Sequence, residues 1–316
     1  MSGDEHLGDI PGLTLSLSLM CIFAVCLNIL LATGILFSKK QQYSSVELFI
    51  VNLCISDILL AGVAVPVRIN NASHKGESFV GGDAVCKLVM FLPLLTVSSS
   101  IYTMVAIAVD RYKEILKLKK LTTERTSNIV LGTWIWSLVI SSPQLYEYST
   151  YRKEEDEYNI TSCGAHGIVE NFETLYACFA IVLSYAVPLI IITICYFKIM
   201  RYVWKVGKTS SENDIQVLKR MKVVKILLLI TIVFILLWSP FFVLFGMEEI
   251  LGLDDTLHTA SWTQVAKKVL VVMSTMSNPI IYFASNSIFR RQILKFLTCG
   301  KVQLSRVNPE AVDETF

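Results

Sequence analysis

Seven long apolar runs, roughly 13–37, 46–68, 86–112, 128–146, 174–200, 222–247 and 263–284, leave this 316-residue chain few ways to fold. Each reaches the length of about 20 residues that a helix needs to cross a bilayer. Lipid offers a backbone N–H or C=O no partner, so spanning segments must bond internally; the runs are predicted as helices and the chain as an all-α membrane protein. Only 17% of the residues are charged and the mean hydropathy is +0.57, whereas about a quarter are charged in an ordinary soluble domain. Loops are short, with no repeat or low-complexity linker. The expected division is therefore an outer terminus over 1–12, a seven-helix bundle over 13–284, and an amphipathic stretch with an inner tail over 285–316.

Orientation follows from Lys and Arg. With the amino terminus outside, Lys39, Lys40, the run from Lys113 to Arg125, the stretch from Lys198 to Lys225 and the tail all face the cytoplasm, as the positive-inside rule asks. Met1 to Pro11 is acidic and lacks a basic n-region, so the first apolar run is expected to act as its own signal. The outer side is acidic, at Asp4, Glu5 and Asp9, at Glu154-Glu155-Asp156-Glu157, and at Glu248, Glu249, Asp254 and Asp255. Two glycosylation sequons, at Asn71 and Asn159, also fall outside. The plasma membrane is the expected location.

Cysteines divide by position. Cys21, Cys26, Cys54, Cys178 and Cys195 lie in apolar runs and read as small packing residues. Cys86 and Cys163 both fall outside, where an oxidising compartment would join them and pin the long outer connection 147–173 over the mouth of the bundle. Cys299 follows the basic amphipathic stretch Asn286 to Leu297; palmitoylation and a plain free thiol are both compatible with that place.

Polar and proline positions inside the runs carry the remaining signal. Asp110-Arg111-Tyr112 ends the third run, and a charge there must sit at the membrane boundary or inside a bundle. Acid-Arg pairs also simply cap helices, so the triplet alone decides nothing. Pro66, Pro93, Pro143, Pro188, Pro240 and Pro279 each remove a backbone hydrogen bond, which kinks a helix. Two of them have notable company: Phe234 and Trp238-Ser239-Pro240 in the sixth run, and Asn278-Pro279-Ile280-Ile281-Tyr282 in the seventh.

Taken in order with Asn28, Asn52-Leu53, Asp57, Cys86, Trp134, Pro188 and Tyr196, these motifs resemble the signatures of the rhodopsin-like G-protein-coupled receptors, one set per helix from the first to the last. The stretch with Phe289, Arg290 and Arg291 resembles that family's short eighth helix on the inner membrane surface. The resemblance implies a sodium ion, with water, at Asp57, Asn28, Ser100, Ser274 and Asn278. It implies a transmission contact of Ile101, Pro188 and Phe234 beneath Trp238, with Pro240 as the kink. It also implies that Tyr196 and Tyr282 swing toward Arg111 as the sixth helix moves outward to admit a heterotrimeric G protein, with arrestin and membrane lipid as further partners. One departure stands out: many relatives have an acid near the base of the sixth helix, where this chain has Lys219, Arg220, Lys222 and Lys225. Arg111 is therefore expected to be held by Asp110 alone, with measurable basal signalling.

The ligand is read by elimination and by charge. Amine receptors carry an aspartate seven residues after the third-helix cysteine, where this chain has Pro93; opsins carry the retinal lysine six residues before the seventh-helix asparagine, where it has Val272. The wording of the third and sixth helices looks most like neuropeptide receptors, and the acidic outer loops suit a basic peptide. Expected pocket residues are Val97, Trp238, Phe241, Phe242, Phe245, Gln264 and Lys268, with Glu248 and Glu249 at the rim. The alternative is a receptor for a small acidic metabolite or lipid, read by Arg68 and Lys268. No catalytic constellation, metal-binding His cluster, organic cofactor or nucleic-acid partner is expected; His6, His74, His166 and His258 all fall in outer loops.

Overall fold

The computed structural model describes residues 11–37, 43–67, 79, 81–116, 121–155, 158–165, 172–206, 213–251, 260–285 and 290. Seven helices cross the molecule. They are α1 (Pro11–Leu36), α2 (Ser45–Leu59, continued by a π-helical turn, Leu60–Ala64), α3 (Gly82–Ile115) and α4 (Thr123–Ser141, extended by the turn Pro143–Glu147). After them come α5 (Phe172–Ile181, a π-helical turn Val182–Ala186, then Val187–Val206), α6 (Asn213–Leu251) and α7 (Ala260–Ser285). By length and composition six are apolar enough to cross a membrane. The seventh, α7, carries Lys267, Lys268, Ser274, Thr275, Ser277 and Asn278 along its length.

Which side chains point inward settles the solvent. Leu19, Ile22 and Phe23 of α1, Leu131, Ile135 and Val139 of α4, and Leu236 and Val243 of α6 are exposed, while Asn28, Asn52, Asp57, Thr103, Ser137 and Asn278 are buried. Water would drive the opposite sorting, because burying apolar surface is what stabilises a soluble fold. Lipid removes that drive, and helices then associate through packing and interhelical hydrogen bonds. The protein is a multi-pass membrane protein.

α3 is the axis of the bundle, touching α2, α4, α5 and α6, while α1 and α7 close the ring against each other. It enters from Gly81 and Gly82, whose φ angles of 120° and 68° lie in the region L side chains rarely adopt. At Gly81 an added Cβ would also meet the Val85 side chain at 2.7 Å. Inside α3, Thr96 Oγ1 donates to the carbonyls of Leu92 and Pro93 at 3.0 Å, which takes up acceptors around the proline. α2 begins at a capping box, in which Ser44 and Glu47 bond reciprocally across the first turn.

The outer connection expected as a loop is partly a hairpin: β1 (Tyr148–Glu155) pairs antiparallel with β2 (Tyr158–Ala165), with Thr150 opposite Cys163. Cys163 is bonded to Cys86 on α3 as expected. Thr150 N–H donates to Asp83 Oδ1 at 3.1 Å, and Phe79 N–H to the Thr161 carbonyl at 2.7 Å, so the hairpin is fixed to the mouth at three points. Glu154 and Glu155 end β1, placing part of the acidic run at its tip. Cys26, expected to pack inside, is exposed on α1; Cys21, Cys54 and Cys195 are buried.

Candidate ligand pocket and switch

Beneath the hairpin, the helical spacing of α6 stacks its aromatics into one cluster. Trp238 is 2% and Phe242 5% exposed. The Trp238 ring lies edge-on to Phe241 with centroids 5.1 Å apart, Phe241 stacks on Phe245 at 6.4 Å, and Phe234 sits below Trp238 at 5.8 Å. Tyr185 of α5 stacks on Phe242 at 4.7 Å, and its hydroxyl bonds Ser239 Oγ, which in turn donates to the Ile235 carbonyl at 2.6 Å. Trp238 Nε1 has no hydrogen-bond partner among the described residues, which leaves a directed donor unused inside the cluster. Val97 is buried against the same core, as is Ile101 one turn further along α3. Lys268 is half-buried in α7. The Gln264, Glu248 and Glu249 side chains and all of Arg68 lie outside what the structure describes, so four of the expected pocket contacts have no placement.

The turn Val182–Ala186 precedes Pro188, which has no N–H to donate back to the carbonyl of residue 184. Its polar groups bond across to α3 instead: Tyr102 Oη donates to the Leu183 carbonyl at 2.7 Å, and Ser98 Oγ and Ser184 Oγ are 3.0 Å apart. Tyr185 lies within this π-helical turn and meets α6 at Ser239 and Phe242.

In mid-bundle, Asn52 joins three helices. Its Nδ2 donates to Thr103 Oγ1 at 2.7 Å, and its Oδ1 accepts from Trp134 Nε1 at 2.8 Å. Nearer α7, Asn278 Nδ2 donates to Asp57 Oδ2 at 3.0 Å, and Asn28 Nδ2 reaches the Thr275 carbonyl at 2.9 Å. Asn28 Oδ1 and Asn278 Oδ1 are buried without partners among the described residues, and Asp57, Ser100 and Ser274 are buried as well. The Asp57 carboxylate and the two spare amide oxygens are donors of the type that a hard cation takes.

At the opposite end from the hairpin, the Asp110 carboxylate holds Arg111 and accepts from Ser45 Oγ of α2 at 2.7 Å. Arg111 also pairs with Glu114, which overturns the expectation that Asp110 holds it alone. The reason is helical spacing: a carboxylate three residues on lies one turn along the same face. Arg111 Nε has no hydrogen-bond partner among the described residues. Tyr196, directed by α5 toward α6, is 3.4 Å from Thr231 Oγ1, and Tyr282 packs on the α1–α2 cluster of Leu31, Ile35, Ile50 and Cys54. Tyr196 thus turns its hydroxyl toward α6. Of the expected modification sites, Asn159 lies in β2 with its side chain undescribed, while Asn71 and Cys299, and Phe289 and Arg291 of the expected eighth helix, are outside the described residues.

Residues 27–282 match the 7 transmembrane receptor (rhodopsin family). The chain belongs to that family. Among curated relatives, this receptor is 26% identical over 309 residues to the QRFP-like peptide receptor of Branchiostoma floridae, covering 95% of its own length and 80% of the relative's. It is 31% identical to the Neuromedin-K receptor of Cavia porcellus, covering 87% of itself and 63% of that protein. It is 28% identical to Melanopsin-A of Danio rerio, where it covers 85% of itself and spans about half, 47%, of the relative.

Sequence reasoning named Asn28, Asn52, Asp57, Ser100, Asp110, Arg111, Ser274 and Asn278, all of them buried, but it missed Glu114, Ser45, Thr103 and Tyr185. The i, i+3 spacing of Arg111 and Glu114 was a usable signal; a lone serine or threonine in an apolar run carries none.

Proposed function

We propose that this receptor binds an extracellular peptide at the hairpin end and activates a heterotrimeric G protein at the Arg111 end. The observation that carries the reading is α6 itself. It presents the Trp238–Phe241–Phe242–Phe245 cluster at one end, and among the described residues no ion pair ties it to Arg111 at the other. The names of several relatives, the peptide and neuromedin-K receptors among them, support a peptide. A ligand pressing on Trp238 would favour the conformer in which α6 stands away from α3, and would shift the population only by the difference in its affinity for the two. In that conformer Arg111, Tyr196 and Tyr282 would face the G protein. A sodium ion at Asp57, held through Asn28, Asn278, Ser100 and Ser274, would favour the closed conformer. The hairpin end and amino terminus would then face outward from the plasma membrane, with arrestin and lipid at the inner face. Val272 is fully buried but has no amine, so it offers retinal no Schiff base.

A second-messenger and calcium screen of cells expressing the chain, against neuropeptides and small carboxylates, tests the reading. A response to a basic or amidated peptide, weakened by the double change Glu248→Ala/Glu249→Ala, is expected. Responses confined to small acids and lost in Lys268→Ala would replace it with an acidic-metabolite receptor.

A further inference from the structure

The turn that extends α4 ends in a carboxylate with one oxygen buried and unpartnered among the described residues. Glu147 is 3% exposed, and its Oε1 has no hydrogen-bond partner among the described residues. Gln144 Oε1, one turn earlier on the same face, and Ser149 Oγ, two residues on in β1, are buried and equally unpartnered. Three orphaned acceptors thus fall within six residues of chain, where the end of α4 packs on α3 and β1 under the disulfide-bonded hairpin.

Helix stability does not account for Glu147. It is the last residue of its turn, where converging carbonyls repel a carboxylate. An unpaired buried charge also costs free energy unless a counter-charge meets it. The described cations nearby do not: Lys87 pairs with Asp83 at 3.0 Å, and Arg152 is exposed on β1. The missing partner is therefore expected to arrive with the ligand.

We infer that Glu147, with Gln144 beside it, is the subsite for a guanidinium group carried by the peptide. This rests on the peptide reading above and adds the chemistry of one ligand side chain. A guanidinium is favoured over an ammonium for two reasons. Its planar fork of five N–H donors can bond a carboxylate and a neighbouring amide oxygen together, and it gives up hydration more readily on burial.

The test uses cells expressing the full chain and a positional-scanning library of amidated hexapeptides, read by calcium and second messenger. The most potent pool peptide is then remade with its arginine replaced by citrulline, which has nearly the same shape without the charge, and by lysine. All three are titrated on wild type and on Glu147→Gln. Citrulline should weaken the peptide by about 30-fold or more on wild type and by about 3-fold or less on Glu147→Gln, since the buried counter-charge is gone. Each comparison is made within one variant, so differences in surface expression cancel. Equal losses on both receptors would overturn the subsite, and lysine matching arginine would overturn the guanidinium. Active pools without an arginine requirement would sink the subsite and leave the peptide reading standing; a library with no active pool would remove both.

Discussion

α3 and α6 are both long, buried in part and broken by proline, yet they are held in opposite ways. Ser56, Ser45 and Asn52 of α2 bond α3 through Ser99, Asp110 and Thr103, Trp134 of α4 joins through Asn52, and Ser98 and Tyr102 reach α5. α6 meets its neighbours through rings and aliphatic side chains, and its described side-chain bonds to another helix are the two hydroxyl pairs Tyr185–Ser239 and Tyr196–Thr231. Directed bonds specify one geometry, whereas packing of rings on aliphatic groups tolerates repacking at modest cost. The contrast teaches which helix is frame and which is lever: α3 is fixed, and α6 can move if two hydroxyl contacts yield.

Four substitutions would break or sharpen that contrast. Cys163→Ser should have the largest effect, about 3 kcal/mol lost from the hairpin end of α3, seen as a lower Tm in detergent and faster proteolysis of residues 148–165. Asn52→Ala strands both Thr103 and Trp134, and should cost about 2 kcal/mol and several degrees of Tm. An unchanged Tm would mean that α3 is not held by these bonds. Tyr185→Phe keeps the stacking on Phe242 and removes one hydroxyl contact, so about 1 kcal/mol or less of stability should go, with basal signalling raised relative to surface expression. A silent Tyr185→Phe receptor with a large Tm loss would make α6 part of the frame. Ser44→Ala, which removes the α2 capping box, should cost only about 0.5–1 kcal/mol and leave signalling as it was.

The inner end of the two helices shows how far charge reading goes. The basic residues at the base of α6 were legible, and they excluded an acid there; what could not be read was how Arg111 would be compensated instead. Glu114 and, through Asp110, Ser45 do that work, one by helical spacing and one by the approach of α2. Loss of the Glu114 partner through Glu114→Gln would test how much of the closed state depends on a clasp made within one helix.

Hydropathy determined six of the spans outright, because lipid leaves the backbone of a single segment no option but helix; the seventh, polar along its length, was read with the help of its Asn278-Pro279-Ile280-Ile281-Tyr282 motif, and residue order along the spans carried the family. It also determined the disulfide, since only Cys86 and Cys163 were expected together on the outer side. The tertiary structure decided what hydropathy is blind to. The hairpin rests on a register between two strands ten residues apart in their first positions, Tyr148 and Tyr158, and on the anchor at Cys86. The hydroxyl partners of α3 depend on which faces of α2, α4 and α5 turn toward it, and the orphaned carboxylate of Glu147 becomes an anomaly only when the end of α4 is buried. In each case the deciding term is whether a polar atom finds a partner across an interface, and that depends on helix rotation rather than on residue type.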